Sequence, residues 1–255
     1  LDMESHNKAG ISPVKPLLDE MEAAKSKADL EKIQLKYAAQ GYGVSFGGGF
    51  GADEKNVTMN IFQLSQGGLT LGQKDYYVNN DEATVAIREA FKKYIADMFK
   101  LYGFSAEQAE EKAQAVFQHE TMLALISKSA TELRNPQANY NKMTLKEFQS
   151  NYPNLHLEEM CNAEGIKSEF IQDMIVGQPA FMEGLDKITA AESAATLKAL
   201  MEWDVITSSA AYLTDEIREC NFDFFGKTMS GRKEDYPLWK RAVNQVQSQM
   251  GEPLG

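Results

Sequence analysis

Residues 105–128, SAEQAEEKAQAVFQHETMLALISK, decide how the rest of the chain is read. Ser105 with Gln108 three residues on is a capping box, in which each side chain satisfies the other residue's backbone N–H. Apolar residues at Ala109, Ala113, Val116, Phe117, Leu123 and Ala124 recur at helical spacing, which predicts a helix from about residue 106 to 128. On it sits His119-Glu120, the opening of a His-Glu-x-x-His zinc motif, which needs a second imidazole one turn later to reach the same metal. Leu123 occupies that place, so the pair is not read as a metal site. Glu120 lies on the apolar stripe, where a buried carboxylate needs a partner. A protonated carboxyl or a cation would satisfy it. The candidate cation is Arg134, whose guanidinium fork the turn at Asn135-Pro136 could fold back toward the helix as a buried pair. The alternative is a Glu120 that reaches solvent at the edge of the stripe.

Composition narrows the function classes. With 255 residues, 43% of them hydrophobic, the chain has ample apolar material for a core. A formal charge of −11 argues against a nucleic-acid partner, because phosphate backbones are bound by clustered Lys and Arg. No run of about 18 apolar residues and no charged-then-apolar amino terminus is present, so no membrane span or signal peptide is expected in this chain. Two cysteines, Cys161 and Cys220, exclude a disulfide framework and a four-cysteine metal site. Unpaired thiols are expected, with a single bridge as the alternative.

Working outward, Ser12-Pro13 should open a helix carrying Val14, Leu17, Leu18 and Met21, and a second helix should run from about Asp29 to Gln40. Residues 41–51, GYGVSFGGGFG, lack the third glycine of a dinucleotide fingerprint and the Gly-Lys-Ser/Thr of a phosphate loop. They read as strand bent by glycine, with Val44 to Phe46 in one strand, Val57 to Leu64 in the next and Asp53 to Asn56 as the turn. Gly67-Gly68 should break the second strand, and Tyr76-Tyr77 should supply packing surface. A helix from about Glu82 to Tyr102 should end at a left-handed Gly103. Thr144 can cap a short helix over Leu145 to Gln149, and another should follow over Leu155 to Ala163, with Pro153 between them. His156, Glu158, Glu159 and Cys161 cluster there, but on a helix Cys161 lies off the line joining His156 to Glu159. Asp173 to Pro179 reads as extended. Helices are then expected over residues 180–188, 193–213 and from Asp215 to near Phe225. A last helix should carry Trp239 and stop at Gly251. The expected fold class is mainly α: a multi-helix lobe with a small glycine-rich antiparallel strand pair. With His6, His119 and His156 dispersed, no catalytic, cofactor-binding or metal-ligating residue is assigned to this chain.

Several ordered blocks carry a likeness. They are Gly67-Gly68-Leu69-Thr70-Leu71 with Tyr76-Tyr77, Glu120 with Leu123-Ala124, and Arg134-Asn135-Pro136 with Tyr140-Asn141-Lys142-Met143. Trp203, Asn221 to Phe224 and Trp239-Lys240-Arg241 follow in the same order. Together they resemble the non-catalytic half of the neprilysin, endothelin-converting-enzyme and PepO family of zinc endopeptidases. Gly72 departs from the proline usual there. The resemblance implies that residues 1–255 form a helical lid-type lobe of a larger two-lobed metallopeptidase, with residues from about 236 to 255 leading toward its catalytic lobe. It also implies a zinc ion held in the parent enzyme outside this chain. The partners would be that zinc lobe and peptide substrates, in a periplasmic or cell-surface setting. The chain would then be one piece of a larger enzyme, inactive alone. A bacterial origin fits better than a vertebrate one, since vertebrate members resemble cysteine-rich ectodomains. The alternative is a free-standing helical protein-interaction module without enzymatic activity.

Overall fold

A computed structural model describes residues 2–38 and 45–254, so Gly41, Gly43 and Val44 lie outside the described residues, as does the expected end of the second helix at Gln40. Three short helices come first: α1 (Met3–Ala9), α2 (Lys15–Ala23) and α3 (Lys27–Ala38). The hairpin β1 (Phe46–Asp53) and β2 (Asn56–Gln66) follows, then α4 (Asp75–Val78), α5 (Glu82–Leu101) and α6 (Ala106–Ile126). The second half runs β3 (Lys142–Thr144), α7 (Leu145–Asn151), α8 (Leu157–Ala163) and β4 (Asp173–Val176). It closes with α9 (Pro179–Ala191), α10 (Ala194–Ser209), α11 (Asp215–Phe222), a π-helical turn over Asp223–Met229, and α12 (Leu238–Leu254). The fold is mainly α.

Local chemistry sets the helix ends. Ser105 Oγ accepts from Gln108 N at 3.2 Å while Ser105 N donates to Gln108 Oε1 at 3.0 Å, the expected capping box of α6. Thr144 and Glu147 form a second box at the start of α7. At the end of α5, Gly103 has φ +95°; its N–H donates to Lys100 O at 3.0 Å, and Phe104 N donates to Phe99 O at 3.2 Å. Those two bonds make a Schellman motif, which a glycine reaches without a Cβ penalty. α2 begins at Lys15 rather than at Ser12-Pro13, because Pro16 takes the first turn, where a missing N–H costs nothing. α12 continues past Gly251 to Leu254, since Gly251 stays outside the left-handed region that would end it.

The strands form more than the expected pair. β1 and β2 are antiparallel, with Phe50 opposite Phe62. β2 also pairs in parallel with β4, Phe62 opposite Met174 and Leu64 opposite Val176, and β4 pairs with β3. The sheet order is therefore β1-β2-β4-β3. The extended segment at Asp173 is an inner strand because Met174, Ile175 and Val176 are buried there, which a short apolar run in a mixed sheet requires.

Two apolar clusters result. The larger joins α2 to α6 with α10 and α11 around Phe91, Tyr94, Phe99 and Trp203. Its aromatic rings interlock, with Tyr94 stacked on Phe224 at 4.8 Å and edge-on to Trp203 at 5.7 Å. The smaller packs β2 and β4 against α7, α8 and α9 around Phe148, Met174 and Phe181. Helix α6 serves both, sending Val116 and Ala124 into the first and Leu123 into the second. His119 and Glu120 sit where it passes between them.

Candidate functional site

Glu120 is buried, as its place on the stripe requires. Its partners come from the loop after β2 and from α4: Thr70 Oγ1 donates to Oε1, while Thr70 N at 3.3 Å and the hydroxyl of Tyr77 on α4 donate to Oε2. Arg134 is not among them. It is exposed at the end of the turn over Glu132–Arg134, and no ion pair joins it to Glu120 among the described residues. The turn lets Asn135 cap Ala138 N and Asn139 bond Leu133 O, which faces the guanidinium outward. Burial holds the Glu120 carboxyl above its ordinary range against the Thr70 and Tyr77 hydrogen bonds that oppose the shift. The same burial, with Glu120 alongside, pushes the Tyr77 phenol upward.

His119 is buried beside it, and its Nδ1 lies 2.5 Å from Oε1 of Glu192, the residue that ends α9. Neither atom has a directed hydrogen bond elsewhere. The donor set does not fit zinc: Leu123, buried in the apolar cluster, stands one turn on where the second imidazole would be needed. Among the described residues no three His, Cys, Asp or Glu side chains converge as metal ligands. The group at His156 is likewise not brought together. His156 is exposed with φ 46° ahead of α8, Glu158 accepts from Gln149 Nε2 at 2.6 Å, and Cys161 is buried in the smaller cluster. Cys161 and Cys220 are not bridged, and burial pushes each thiol up to about 11.

The residues around His119 and Glu120 line a pocket of about 410 Å³ at the seam of the two apolar clusters, formed by α3, α6, α9 and α10 and including the exposed Lys32 and His156. A second buried acid lies nearby on α10: Glu202, fully buried, accepts from Lys112 Nζ at 2.5 Å. Sequence reasoning missed Glu192 and Glu202. Glu202 carried a signal, standing between Met201 and Trp203 in an apolar run, whereas Glu192 lies in a small-residue stretch with none.

Comparison with known proteins adds the family. A profile of the N-terminal domain of peptidase family M13 matches residues 1–255. Human endothelin-converting enzyme 1 is 25% identical over 207 residues, covering 80% of this chain and 27% of that protein. Neprilysin-2 of Drosophila melanogaster is 28% identical over 205 residues, covering 79% of this chain and 26% of its own. Among solved structures, the zinc metalloprotease Zmp1 of Mycobacterium tuberculosis in complex with an inhibitor superposes with TM-score 0.90 at 25% identity. That match covers 98% of this chain and 38% of Zmp1. The chain thus spans about a quarter of the length of these curated relatives. With its entire length matched and the fold shared, the chain belongs to peptidase family M13.

Proposed function

We propose that this chain is the non-catalytic helical lobe of a neprilysin-like zinc metalloendopeptidase, closing over a zinc site held by residues outside it and restricting which peptides reach that site. The observation that carries the reading is the superposition of nearly the whole chain on about two-fifths of a zinc metalloprotease. The donor chemistry at His119 supports it, since the residues present do not fit a zinc site. In the parent enzyme the metal supplies Lewis-acid activation of water and the scissile carbonyl. This chain's part is to wall the chamber, with residues from about 236 onward joining it to the catalytic lobe.

The isolated polypeptide supplied with zinc is expected to hydrolyse no short fluorogenic peptide. Zinc-dependent cleavage that His119→Ala abolishes would overturn the reading. A free-standing interaction module is the second reading, favoured by the exposed apolar stripe of α12, which includes Trp239, Val243, Val246 and Met250. Substitutions on that stripe separate the two, because they impair peptide cleavage by the parent enzyme only if the stripe contacts its catalytic lobe.

A further inference from the structure

Three helices meet at one cluster of charge. Glu202 on α10 has no exposed side-chain area, and Lys112 Nζ on α6 donates to its Oε2 at 2.5 Å. Its Oε1 is buried as well and has no hydrogen-bond donor among the described residues. Glu22, in the last turn of α2, reaches the same ammonium: its Oε1 lies 3.5 Å from Lys112 Nζ. Lys198 Nζ lies 3.4 Å from Glu22 Oε2 and 3.3 Å from the Glu22 carbonyl oxygen. The two carboxyl groups stand within hydrogen-bonding reach of each other. Two carboxylates offer only acceptors, so a hydrogen bond between them requires that one carry a proton.

The surroundings decide which one. Burial pushes the Glu202 carboxyl up to about 7; Lys112 opposes the shift and Glu22 adds to it. Against its partial burial, Glu22 is held below the ordinary range by Glu202, Lys112 and Lys198. Environments that drive two carboxyl groups apart in this way place one proton between them. Of the other elements packed on α10, α3 directs Lys27 Nζ to the Thr189 carbonyl oxygen at 2.7 Å. At the end of α5, the Tyr102 hydroxyl donates to the Ile206 carbonyl oxygen at 3.1 Å and meets Ser209 Oγ at 2.9 Å.

We propose that Glu22 and Glu202 share one proton, and that the hydrogen bond it makes is a pH-sensitive latch fastening the last turn of α2 to α10. On the acid side of neutrality Glu202 donates to Glu22 and the latch is shut. As pH rises through about 7 the proton leaves to solvent, and two carboxylates face each other. Glu202 cannot turn to water, whereas the Glu22 side chain is 46% exposed and can, so the release falls on α2. Leu18 and Met21 on the same helix are buried in the larger cluster, and a loosened last turn admits water beside them. The inference stands apart from the lid reading, because it concerns three helices within this chain.

Amide exchange of the whole chain reads the latch locally. Between pH 6 and pH 8 the protection factors of the Met21 to Ala23 amides should fall at least tenfold further than those of Ile95 to Phe99 in α5, which report opening of the core. In Glu202→Gln, whose side-chain amide donates to Glu22 at either pH, the two segments should change together. Carboxyl carbon-13 titration of the wild type is a second measurement that needs no variant: the Glu22 and Glu202 side-chain carbons should both inflect at one midpoint near neutrality. Glu22→Gln should lower the Glu202 midpoint by removing the like charge, and should abolish the extra loss of protection in α2. Equal loss of protection in the two wild-type segments, an extra loss that persists in folded Glu202→Gln, or a Glu22 carbon without an inflection at the Glu202 midpoint would each overturn the proposal and leave Glu202 as a buried acid that titrates alone.

Discussion

The Tyr77 hydroxyl donates to Glu120 and accepts from Leu71 N at 3.2 Å, so one phenol ties α6 to the loop ahead of α4. Tyr77→Phe strands both groups, and a urea series should show a loss of about 1–3 kcal/mol. Arg134→Met, at an exposed turn, should stay within about 0.5 kcal/mol. Tyr77→Phe should couple with Glu120→Gln in a double-mutant cycle, whereas Arg134→Met should be additive with it; coupling at Arg134 would restore the ion pair. Glu202 makes a different test. Burial pushes its carboxyl up to about 7 although Lys112 lies against it and opposes the shift. Because folding raises this pKa, the stabilisation is complete below the unfolded value near 4.5 and is lost as pH climbs through about 7. From pH 5 to pH 8 the wild type should therefore lose about 3 kcal/mol relative to Glu202→Gln, at about 1.4 kcal/mol per pKa unit. Parallel urea midpoints across that window would contradict it.

Between residue and fold, the hairpin shows how glycines differ by place. A Cβ at Gly67 would come 2.1 Å from the Ser45 carbonyl oxygen, which is backbone and cannot rotate away. A Cβ at Gly49, on the edge strand β1, would meet nothing within 4 Å. Gly67→Ala should then cost about 2 kcal/mol or more and disturb the β1–β2 register, while Gly49→Ala should be neutral within about 0.5 kcal/mol. Thermal melts of the two variants, with amide exchange across β2, distinguish a close approach of backbone from mere flexibility. Helix α6 is the other decisive element: its capping box fixes where it starts, and its two buried faces carry His119 and Glu120 into the seam between the clusters.

For the molecule as a whole, the stripe of α12 matters most, since Trp239, Val243, Val246 and Met250 are at least half exposed or nearly so, while Lys240 and Arg241 flank Trp239. Val243→Glu should leave the melting temperature of the isolated chain unchanged, because no buried area is lost. In the full-length parent the same substitution should lower kcat/KM for peptides by about tenfold or more without changing zinc content, since it would place a charge in a contact between lobes. Unaltered cleavage would favour the interaction module. The two apolar clusters, by contrast, account for the chain's own cohesion.

Helices with caps at their own ends were legible because the signal is local: Ser105 with Gln108, Thr144 ahead of α7 and Gly103 after α5 each act within one turn. The family was legible too, from blocks such as Tyr140-Asn141-Lys142-Met143 and Trp239-Lys240-Arg241 in order. The helical period put Glu120 on the apolar stripe but left open whether its carboxylate reached solvent at the edge; the structure buries it. Its partners were not legible, because Thr70 and Tyr77 lie some 50 and 43 residues away in the chain and meet α6 only when the loop after β2 and α4 pack across it. The parallel pairing of β4 with β2, the meeting of His119 with Glu192 and the cavity they border are of the same kind. Periodicity within an element says which face is buried; what that face meets is decided by where the other elements settle.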